Sequence, residues 1–215
     1  MTAPSDRFSQ FSDVVTSPGE LEATLGAPMP QVIDKVTDHL DDVCRDFIAR
    51  SPFCLIASRS SDGPVDISPK GDPAGFAKVL DQNYLAIPDR PGNRRADTFH
   101  NVLKDPHVGL IFIIPGKGET LRISGEARIV RDPDLLESMA MNGKTPAFTL
   151  VVHVDRAFTH CPKCVVRSKI WQPDSWPDSQ DLPDIGNAMI KQGKLDISPE
   201  DLFEEAQKVD VLRLY

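Results

Sequence analysis

The middle of the chain alternates short hydrophobic runs with clusters of turn residues. From residue 51 onwards, runs rich in Val, Ile, Leu and Phe are bounded by Gly, Pro, Asp and Ser, which is typical of β-strands. The predicted strands cover residues 53–59, 65–71, 83–89, 108–114, 120–130 and 147–160. SDGP at 61–64 and PGKGE at 115–119 are hairpin turn signals. The pattern therefore predicts a mainly β, largely antiparallel barrel.

Helical periodicity precedes these strands. In SPGELEATLG, Ser17 is placed as the N-cap, Glu20 completes a capping box, and Gly26 ends the helix. Apolar positions then recur every three or four residues between 30 and 50, which predicts one longer amphipathic helix. Its apolar stripe consists of Val32, Val36, Leu40, Val43 and Phe47. We expect one small barrel to leave part of this stripe uncovered, which favours a second subunit.

Shorter helices are expected between and after the strands. They cover residues 93–106 and 132–143, a segment opened by Pro162, and a last helix with Ser198 as its cap and Pro199 at its first position. A loop-rich stretch lies at 171–186. The chain thus divides into an N-terminal helical segment (1–50) packing on the barrel, a core (51–161) and a C-terminal extension (162–215), all in one domain.

Composition and charge exclude several classes of protein. With 215 residues and 40% hydrophobic content, the chain can bury a core without disulfides or a metal. A net charge of -8 argues against a general nucleic-acid binder, which needs a broad basic surface. We find neither an apolar run long enough for a membrane helix nor a signal peptide, which predicts a cytoplasmic protein without a membrane partner.

Three arginines nevertheless gather after a predicted strand. Arg90, Arg94 and Arg95 flank a Pro-Gly turn, and the last two, with Asn93, are expected at the start of a helix. Backbone N–H groups and the helix dipole favour an anion there, and guanidinium groups match phosphate oxygens. Lys70 ends another strand and could add a cation. The hypothesis is a phosphate site; the alternative is a solvated basic turn that neighbouring aspartates partly neutralise.

These segments together resemble a known family. VDISPKGDPAGF at 65–76 and NYLAIPDRPGNRRADTFHNVLKDPHVGLIFIIPGKGETLRISGEARIV at 83–130 resemble the pyridoxamine 5'-phosphate oxidase-related flavoproteins, and HCPKCVVRSKIWQP at 160–173 resembles a branch of probable FMN-dependent enzymes with unassigned reaction. The resemblance implies an FMN-binding split β-barrel and a homodimer with FMN at the interface. The arginine and tryptophan motifs that bind substrate in the true oxidases are not recognisable, which argues against vitamin B6 chemistry.

The resemblance also implies which residues meet the cofactor. One strand is expected to run under the flavin ring, a second strand to end beside it, and the arginine segment to hold the phosphate. The expected cofactor residues are Asp66, Ile67, Ser68, Pro69, Lys70, Ile87, Pro88, Arg90, Asn93, Arg94, Arg95, Thr98, Thr120 and Trp171.

The segment after the last strand carries the weaker candidates. If a helix opens at Pro162, His160, Cys164, Arg167 and Trp171 lie along one face, where His160 and Arg167 are candidate catalytic residues. The alternative interpretation, which the sequence supports equally, is structural: Trp171 packs in the core, Arg167 pairs with an acidic residue, and His160 is a polar group with a hydrogen-bond partner.

The C-x-x-C pair, Cys161 and Cys164, is open to three interpretations. The pair could be half of a zinc site, but no second pair follows at the spacing of a zinc finger. It could also be a redox-active pair, but it does not lie in a thioredoxin-like βαβ unit. We expect ordinary reduced thiols and no metal.

Two functions follow. The first is an FMN-dependent oxidoreductase acting on an unknown small-molecule substrate or electron donor. The second is a non-catalytic protein that binds flavin or a haem-type ligand in the same barrel. Turnover with a reduced nicotinamide or a reducible dye separates them.

Overall fold

Seven antiparallel strands form one sheet within the part of the chain, residues 7–61 and 63–215, that the computed structural model describes. They are β1 Phe53–Arg59, β2 Val65–Gly71, β3 Lys78–Val79, β4 Tyr84–Pro88, β5 His107–Ile113, β6 Thr120–Val130 and β7 Thr149–His160. Their order is β2-β1-β5-β6-β7-β4-β3, so the sheet does not close on itself. The predicted fold class, a mainly β split barrel with flanking helices, is confirmed; only the short strand β3 was not predicted.

Alternating side chains of the central strands form the core. In β1, Cys54 and Ile56 are fully buried, and in β5 Leu110 and Phe112 are equally so, while their neighbours point to the opposite face. This alternation follows from the two-residue period of a strand. The sheet therefore has one apolar face inside the barrel and a second face outside it.

A β-bulge bends the two longest strands. Ser124 pairs with Arg156 but Gly125 pairs with Val154, which leaves Asp155 without an opposite residue. A Cβ at Gly125 would overlap the His153 carbonyl oxygen, so only glycine fits this close approach. The bulge lets β6 and β7 curl around the core.

The prediction of a single helix between residues 30 and 50 is wrong. Two helices form instead, α2 Pro30–Asp34 and α3 Asp42–Arg50. Asp41 caps α3 by accepting a hydrogen bond from the Cys44 amide at 2.8 Å, and Thr37 makes two main-chain hydrogen bonds with Ala157 of β7. Because these contacts hold residues 37–41 in a non-helical conformation, the helical period cannot run through them.

The apolar stripe changes with the helix. Residues packed toward the core are Leu40, Cys44, Phe47 and Ile48, whereas Val43 is 59% exposed. The helical stripe that favoured a second subunit is therefore not present as one face.

Five further α-helices and one short 3-10 helix lie within the described residues. Two α-helices lie between strands, α4 Asp97–Val102 and α5 Pro133–Ser138, and three follow the last strand, α6 Lys163–Ser168, α7 Ile185–Gly193 and α8 Pro199–Lys208. The 3-10 helix is Pro173–Ser175. Ser198 caps α8 as predicted, accepting from the Asp201 amide at 3.1 Å. Helix α7 was missed because two of its nine residues are glycine, which weakens a helical pattern.

The first residues form a unit of their own. The chain divides into two compact units, Met1–Val36 and Thr37–Tyr215. In the first unit, α1 Pro18–Leu25 begins as predicted, with Ser17 accepting from the Glu20 amide at 3.3 Å, and ends at Gly26 with φ of 75°. The predicted domain boundaries and the packing of the first helices on the barrel stay predictions.

Candidate functional site

A cleft of about 780 Å³ opens beside the edge strand β2. One part of its wall is the end of β2, residues 68–71, and another is the end of β4 with the loop that follows, residues 88–96. Phe76, the start of α4, the segment 144–148 before β7 and three residues near the C-terminus complete the lining. An ion pair of 2.6 Å between Asp72, just after β2, and Arg90, just after β4, joins the first two parts.

The arginine-bearing loop is strained and precedes the helix. Helix α4 begins at Asp97, and both Arg94 and Ala96 have left-handed backbone conformations, with φ of 61° and 56°. The Asn93 side chain accepts a hydrogen bond from the Arg95 amide at 3.0 Å. The prediction that Asn93, Arg94 and Arg95 lie at the start of a helix is therefore wrong, because the left-handed conformations of Arg94 and Ala96 delay the first helical residue to Asp97. Such conformations cost about 1–3 kcal/mol each and concentrate at binding sites.

The two arginines of this loop have different partners. Arg94 donates from Nη2 to the Val209 carbonyl at 2.8 Å, which ties the loop to the C-terminal segment. Arg95 donates from Nε to Asp97 at 2.7 Å, and its side chain remains 72% exposed. A surface ion pair of this kind contributes little to the stability of the fold. Arg95 can therefore leave Asp97 and bind an anion instead.

Arg90 is held more firmly than its neighbours. It donates to the Asp72 carboxylate, whose side chain is 1% exposed, and to the Met139 carbonyl at 3.0 Å. Arg90 lines the cleft, but its strongest contact is this buried ion pair.

Thr98 has a buried hydroxyl without a partner. The residue is 3% exposed, lies in the first turn of α4 on the cleft wall, and its Oγ1 has no hydrogen-bond partner among the described residues. A buried hydroxyl left unpaired costs about 1–3 kcal/mol. A hydroxyl of this kind is a candidate hydrogen-bond donor to an oxyanion.

Lys70 and two phenylalanines line another part of the wall. The Lys70 ammonium lies 5.8 Å from the centroid of the Phe99 ring, and Phe99 meets Phe148 edge to face at 6.0 Å. Burial raises the pKa of Asp89, while Lys70 and Arg90 act in the opposite direction. The cleft thus combines cations, an apolar aromatic surface and the Asp89 carboxyl group, whose pKa is raised by burial.

Most of the expected cofactor residues meet in this cleft. Those that line it are Ser68, Pro69, Lys70, Pro88, Arg90, Asn93, Arg94, Arg95 and Thr98. Asp66 accepts a hydrogen bond from the Ser68 hydroxyl beside it, Ile67 is on the outer face of β2, and Ile87 is buried in the core. Thr120 pairs across the sheet with His160, away from these residues in the strand order.

The expected helical face at His160 does not form. His160 is the last residue of β7, α6 covers only Lys163–Ser168, and Lys169 ends it with φ of 54°. Trp171 therefore lies beyond the helix, where its indole donates to the Lys117 carbonyl at 2.9 Å. Arg167 remains on α6 and is exposed. These residues do not share one helical face, because the helix is shorter than the spacing requires.

Several cleft residues were not predicted from the sequence. Among them are Lys144, Asp210, Arg213 and Tyr215, from a loop and from the C-terminal segment. Nothing in their local sequence marks them, since only the folded chain brings residues 210–215 beside the arginine loop.

The cysteines do not form a metal centre. Cys44 and Cys54 are buried, Cys161 and Cys164 are exposed, and all four thiols are free. Within residues 7–61 and 63–215, no three side chains of the metal-binding types come together. The zinc alternative therefore lacks a ligand set there.

The middle of the chain matches a known protein family. Residues 40–161, more than half of the chain, match the family described as pyridoxamine 5'-phosphate oxidase. No curated protein matches the chain.

None of the helices in the described part of the chain combines the length and the apolar character that crossing a membrane requires.

Several solved structures are similar to this chain. HupZ from Group A Streptococcus is 18% identical over 55% of this chain and 92% of its own, with a TM-score of 0.45. A Lactobacillus delbrueckii protein proposed to be a pyridoxamine 5'-phosphate oxidase is 18% identical over 57% and 95%, with a TM-score of 0.45. An FMN-binding protein from Syntrophomonas wolfei is 12% identical over 54% and 82%, with a TM-score of 0.42.

Proposed function

Because the chain belongs to the pyridoxamine 5'-phosphate oxidase family, we propose that its cleft binds FMN and that the protein is an FMN-dependent oxidoreductase. The observation that carries the proposal is the unpaired hydroxyl of Thr98, a residue that lines the same cleft as Arg94 and Arg95. An anion bound there would satisfy a donor that the folded chain leaves without an acceptor.

The lining of the cleft fits a flavin phosphate. A phosphate prefers charge-assisted hydrogen bonds, which guanidinium and hydroxyl donors supply. The strained turn at Arg94 and Ala96 presents main-chain groups as well as side chains to the same region. We assign the phosphate to Asn93, Arg94, Arg95 and Thr98, and we leave Arg90 mainly to its ion pair with Asp72.

The flavin ring fits the wall formed by β2. Among the described strands, β2 pairs only with β1, so its other edge faces the cleft with main-chain groups that can meet the polar rim of the ring. Lys70 adds a positive charge near that rim, and Phe99 adds an apolar surface. When bound, FMN supplies hydride or electron transfer, while these residues bind the ring, orient it and stabilise negative charge on it.

A second subunit is part of this proposal. The outer face of the sheet carries Val65 and Ile67, each 62% exposed. The half-buried Leu55 and Ile111, which pair with each other across β1 and β5, lie on the same face. An apolar sheet face of this kind favours a symmetric interface between two copies. In such a dimer the partner copy would bring its own Thr120, His160 and Trp171 toward the flavin. A cytoplasmic location stays a prediction.

The experiment is an FMN titration of the purified protein. We expect flavin fluorescence to be quenched at a stoichiometry near one FMN per chain, and Arg94→Ala to weaken affinity by about ten- to a hundredfold, as the loss of a charge-assisted hydrogen bond would do. Arg131→Ala is the matched control, because it removes an exposed arginine that lies outside the cleft.

Turnover then distinguishes the enzyme from a ligand carrier. A protein that binds FMN and oxidises a reduced nicotinamide or reduces a dye supports the oxidoreductase. FMN binding with no turnover from any donor favours the carrier, and absence of FMN binding contradicts the proposal. Equal affinity of Arg94→Ala and the native chain would place the phosphate elsewhere.

A further inference from the structure

The segment after helix α8 turns back onto the candidate cleft. Asp210 has a left-handed conformation, with φ of 59°, and redirects the chain as α8 ends. Asp210, Arg213 and Tyr215 then line the same cleft as Lys70, Arg94 and Thr98. We call residues 209–215 the C-terminal strap.

The strap occupies cations of the cleft with its own main-chain oxygens. The Val209 carbonyl accepts from Arg94 at 2.8 Å, and a main-chain oxygen of Tyr215 accepts from the Lys144 ammonium at 2.6 Å. Asp210 adds a carboxylate to the lining, which Arg213 pairs with at 2.9 Å. An oxyanion that binds Arg94 and Lys144 fully must therefore replace acceptors that the strap supplies.

Tyr215 fastens the strap to a buried charge. Its hydroxyl donates to Asp72 at 2.6 Å, and its ring lies 6.0 Å from the Arg90 guanidinium. The hydrogen bond with Asp72 raises the pKa of Tyr215, which agrees with a phenol that donates to a carboxylate. Asp72 retains Arg90 as a partner without Tyr215, so loss of the phenol frees the strap without leaving the carboxylate unpaired.

We propose that the C-terminal strap is an autoinhibitory element that competes with the phosphate of FMN for Arg94 and that also occupies Lys144, a second cation of the same cleft. The inference rests on the proposed function, since it concerns regulation of the same cleft. The polar contacts named above hold the strap, and Leu212 and Leu214 point to solvent, 48% and 78% exposed. Such an attachment can open at small free-energy cost, as a displaceable element must.

The consequence for affinity follows from population arithmetic. If the cleft binds FMN only while the strap is open, the apparent dissociation constant equals the intrinsic one divided by the open fraction. Removing one hydrogen bond to a charged group shifts such an equilibrium by about tenfold. Tyr215→Phe is therefore expected to bind FMN about tenfold more tightly and to associate faster.

The chain contains a matched control. It has two tyrosines, and the other, Tyr84, is on β4 beside His153, outside the cleft. Tyr84→Phe is expected to bind FMN as the native chain does. Stopped-flow quenching of flavin fluorescence measures the rates for all three proteins.

A second measurement follows the strap without the flavin. With fluorotyrosine in place of tyrosine, fluorine NMR shows one resonance per tyrosine, which Tyr84→Phe assigns. Addition of inorganic pyrophosphate, and separately of FMN, is expected to move the Tyr215 resonance while the Tyr84 resonance stays in place.

The outcomes separate the two proposals. If Tyr215→Phe and the native chain bind FMN with equal affinity, the autoinhibitory role of the strap is overturned and the proposed function stands. Weaker binding by Tyr215→Phe also overturns autoinhibition, because the strap would then be a lid that holds bound ligand. If no chain binds FMN, the proposed function fails, and the response of Tyr215 to pyrophosphate decides the strap: a moved resonance supports competition for the cations, and an unmoved one overturns it.

Discussion

Thr98 and Thr149 are both buried threonines, but only Thr149 has a hydrogen bond for its hydroxyl. Thr149 donates to the Ile87 carbonyl at 3.0 Å, whereas the Thr98 hydroxyl has no partner among the described residues. A buried polar group without a partner destabilises a fold unless a ligand satisfies it. Replacing Thr98 by valine should therefore have opposite effects on the stability of the ligand-free protein and on the binding of a ligand.

We expect Thr98→Val to stabilise the ligand-free protein by about 1 kcal/mol, because the shape is kept and an unpaired hydroxyl is removed. The same change should weaken FMN binding by about tenfold or more, because a donor to the phosphate is lost. Thermal unfolding with and without FMN measures both effects.

Thr149→Val serves as the control for that substitution. It removes a buried hydrogen bond to the Ile87 carbonyl, which keeps its strand pairing with Leu150, so it should destabilise the protein by about 1 kcal/mol and leave FMN affinity nearly unchanged. If Thr98→Val destabilised the free protein to the same extent, the Thr98 hydroxyl would have a partner in solution.

The four cysteines are expected to react in two classes. Burial raises the pKa of the Cys44 and Cys54 thiols to about 12, so neither forms thiolate near neutral pH. Cys161 and Cys164 are exposed. A thiol reagent should therefore label two cysteines in the native protein and four after denaturation. In Cys161→Ser/Cys164→Ser, rapid native labelling should disappear; rapid labelling of that variant would show that the barrel opens locally.

Among the structural elements, the bulge between β6 and β7 imposes the strictest local requirement. Gly125→Ala places a methyl group against the His153 carbonyl, so the two strands must separate. We expect a loss of about 3 kcal/mol or more in unfolding free energy, measured by denaturant titration.

Gly109→Ala is the matched control on the neighbouring strand. A Cβ at Gly109 meets only the Ala57 Cβ, at 4.0 Å, which is an ordinary contact. Its stability should change by less than about 1 kcal/mol. Comparable losses in the two variants would indicate that the close approach at the bulge relaxes readily.

Helix α3 shows how a periodic pattern can mislead at the scale of an element. Its apolar spacing continues into residues 30–36, but Asp41 caps the helix and Thr37 pairs with β7. A cap and a long-range strand contact override propensity, because each fixes main-chain donors that a continuous helix would use. Local strand patterns had no such competitor, and β1, β2 and β6 begin and end as predicted.

At the scale of the whole molecule, the outer sheet face and helix α3 offer two different surfaces for a second subunit. We expect Val65→Asp to weaken the proposed dimer about tenfold or more, because a carboxylate would be buried in an apolar interface. Val43→Asp is the comparison, since Val43 is equally exposed, at 59%, but lies on α3.

Sedimentation velocity over a concentration series checks this prediction. Dissociation of Val65→Asp alone supports the sheet interface, and dissociation of Val43→Asp alone moves the interface to the helix. A native protein that sediments as a monomer at micromolar concentration with FMN bound contradicts the dimer.

The sequence by itself determined the strand segments, the turns between them, the caps of α1 and α8, and the residue types of an anion site. These are local properties: a two-residue period, a glycine or a capping side chain acts within a few positions. Motifs in a specific order were also sufficient to indicate the family.

Only the tertiary structure decided which of these residues meet. Ser68, Asn93 and Lys144 line one cleft because the open sheet curls and brings distant strands together. The left-handed turn at Arg94, the unpaired Thr98 hydroxyl and the contact of Tyr215 with Asp72 depend on long-range packing. Packing between residues far apart in sequence leaves no periodic signal in the chain, and for that reason the strap and the partners of the arginines could not be predicted from the sequence.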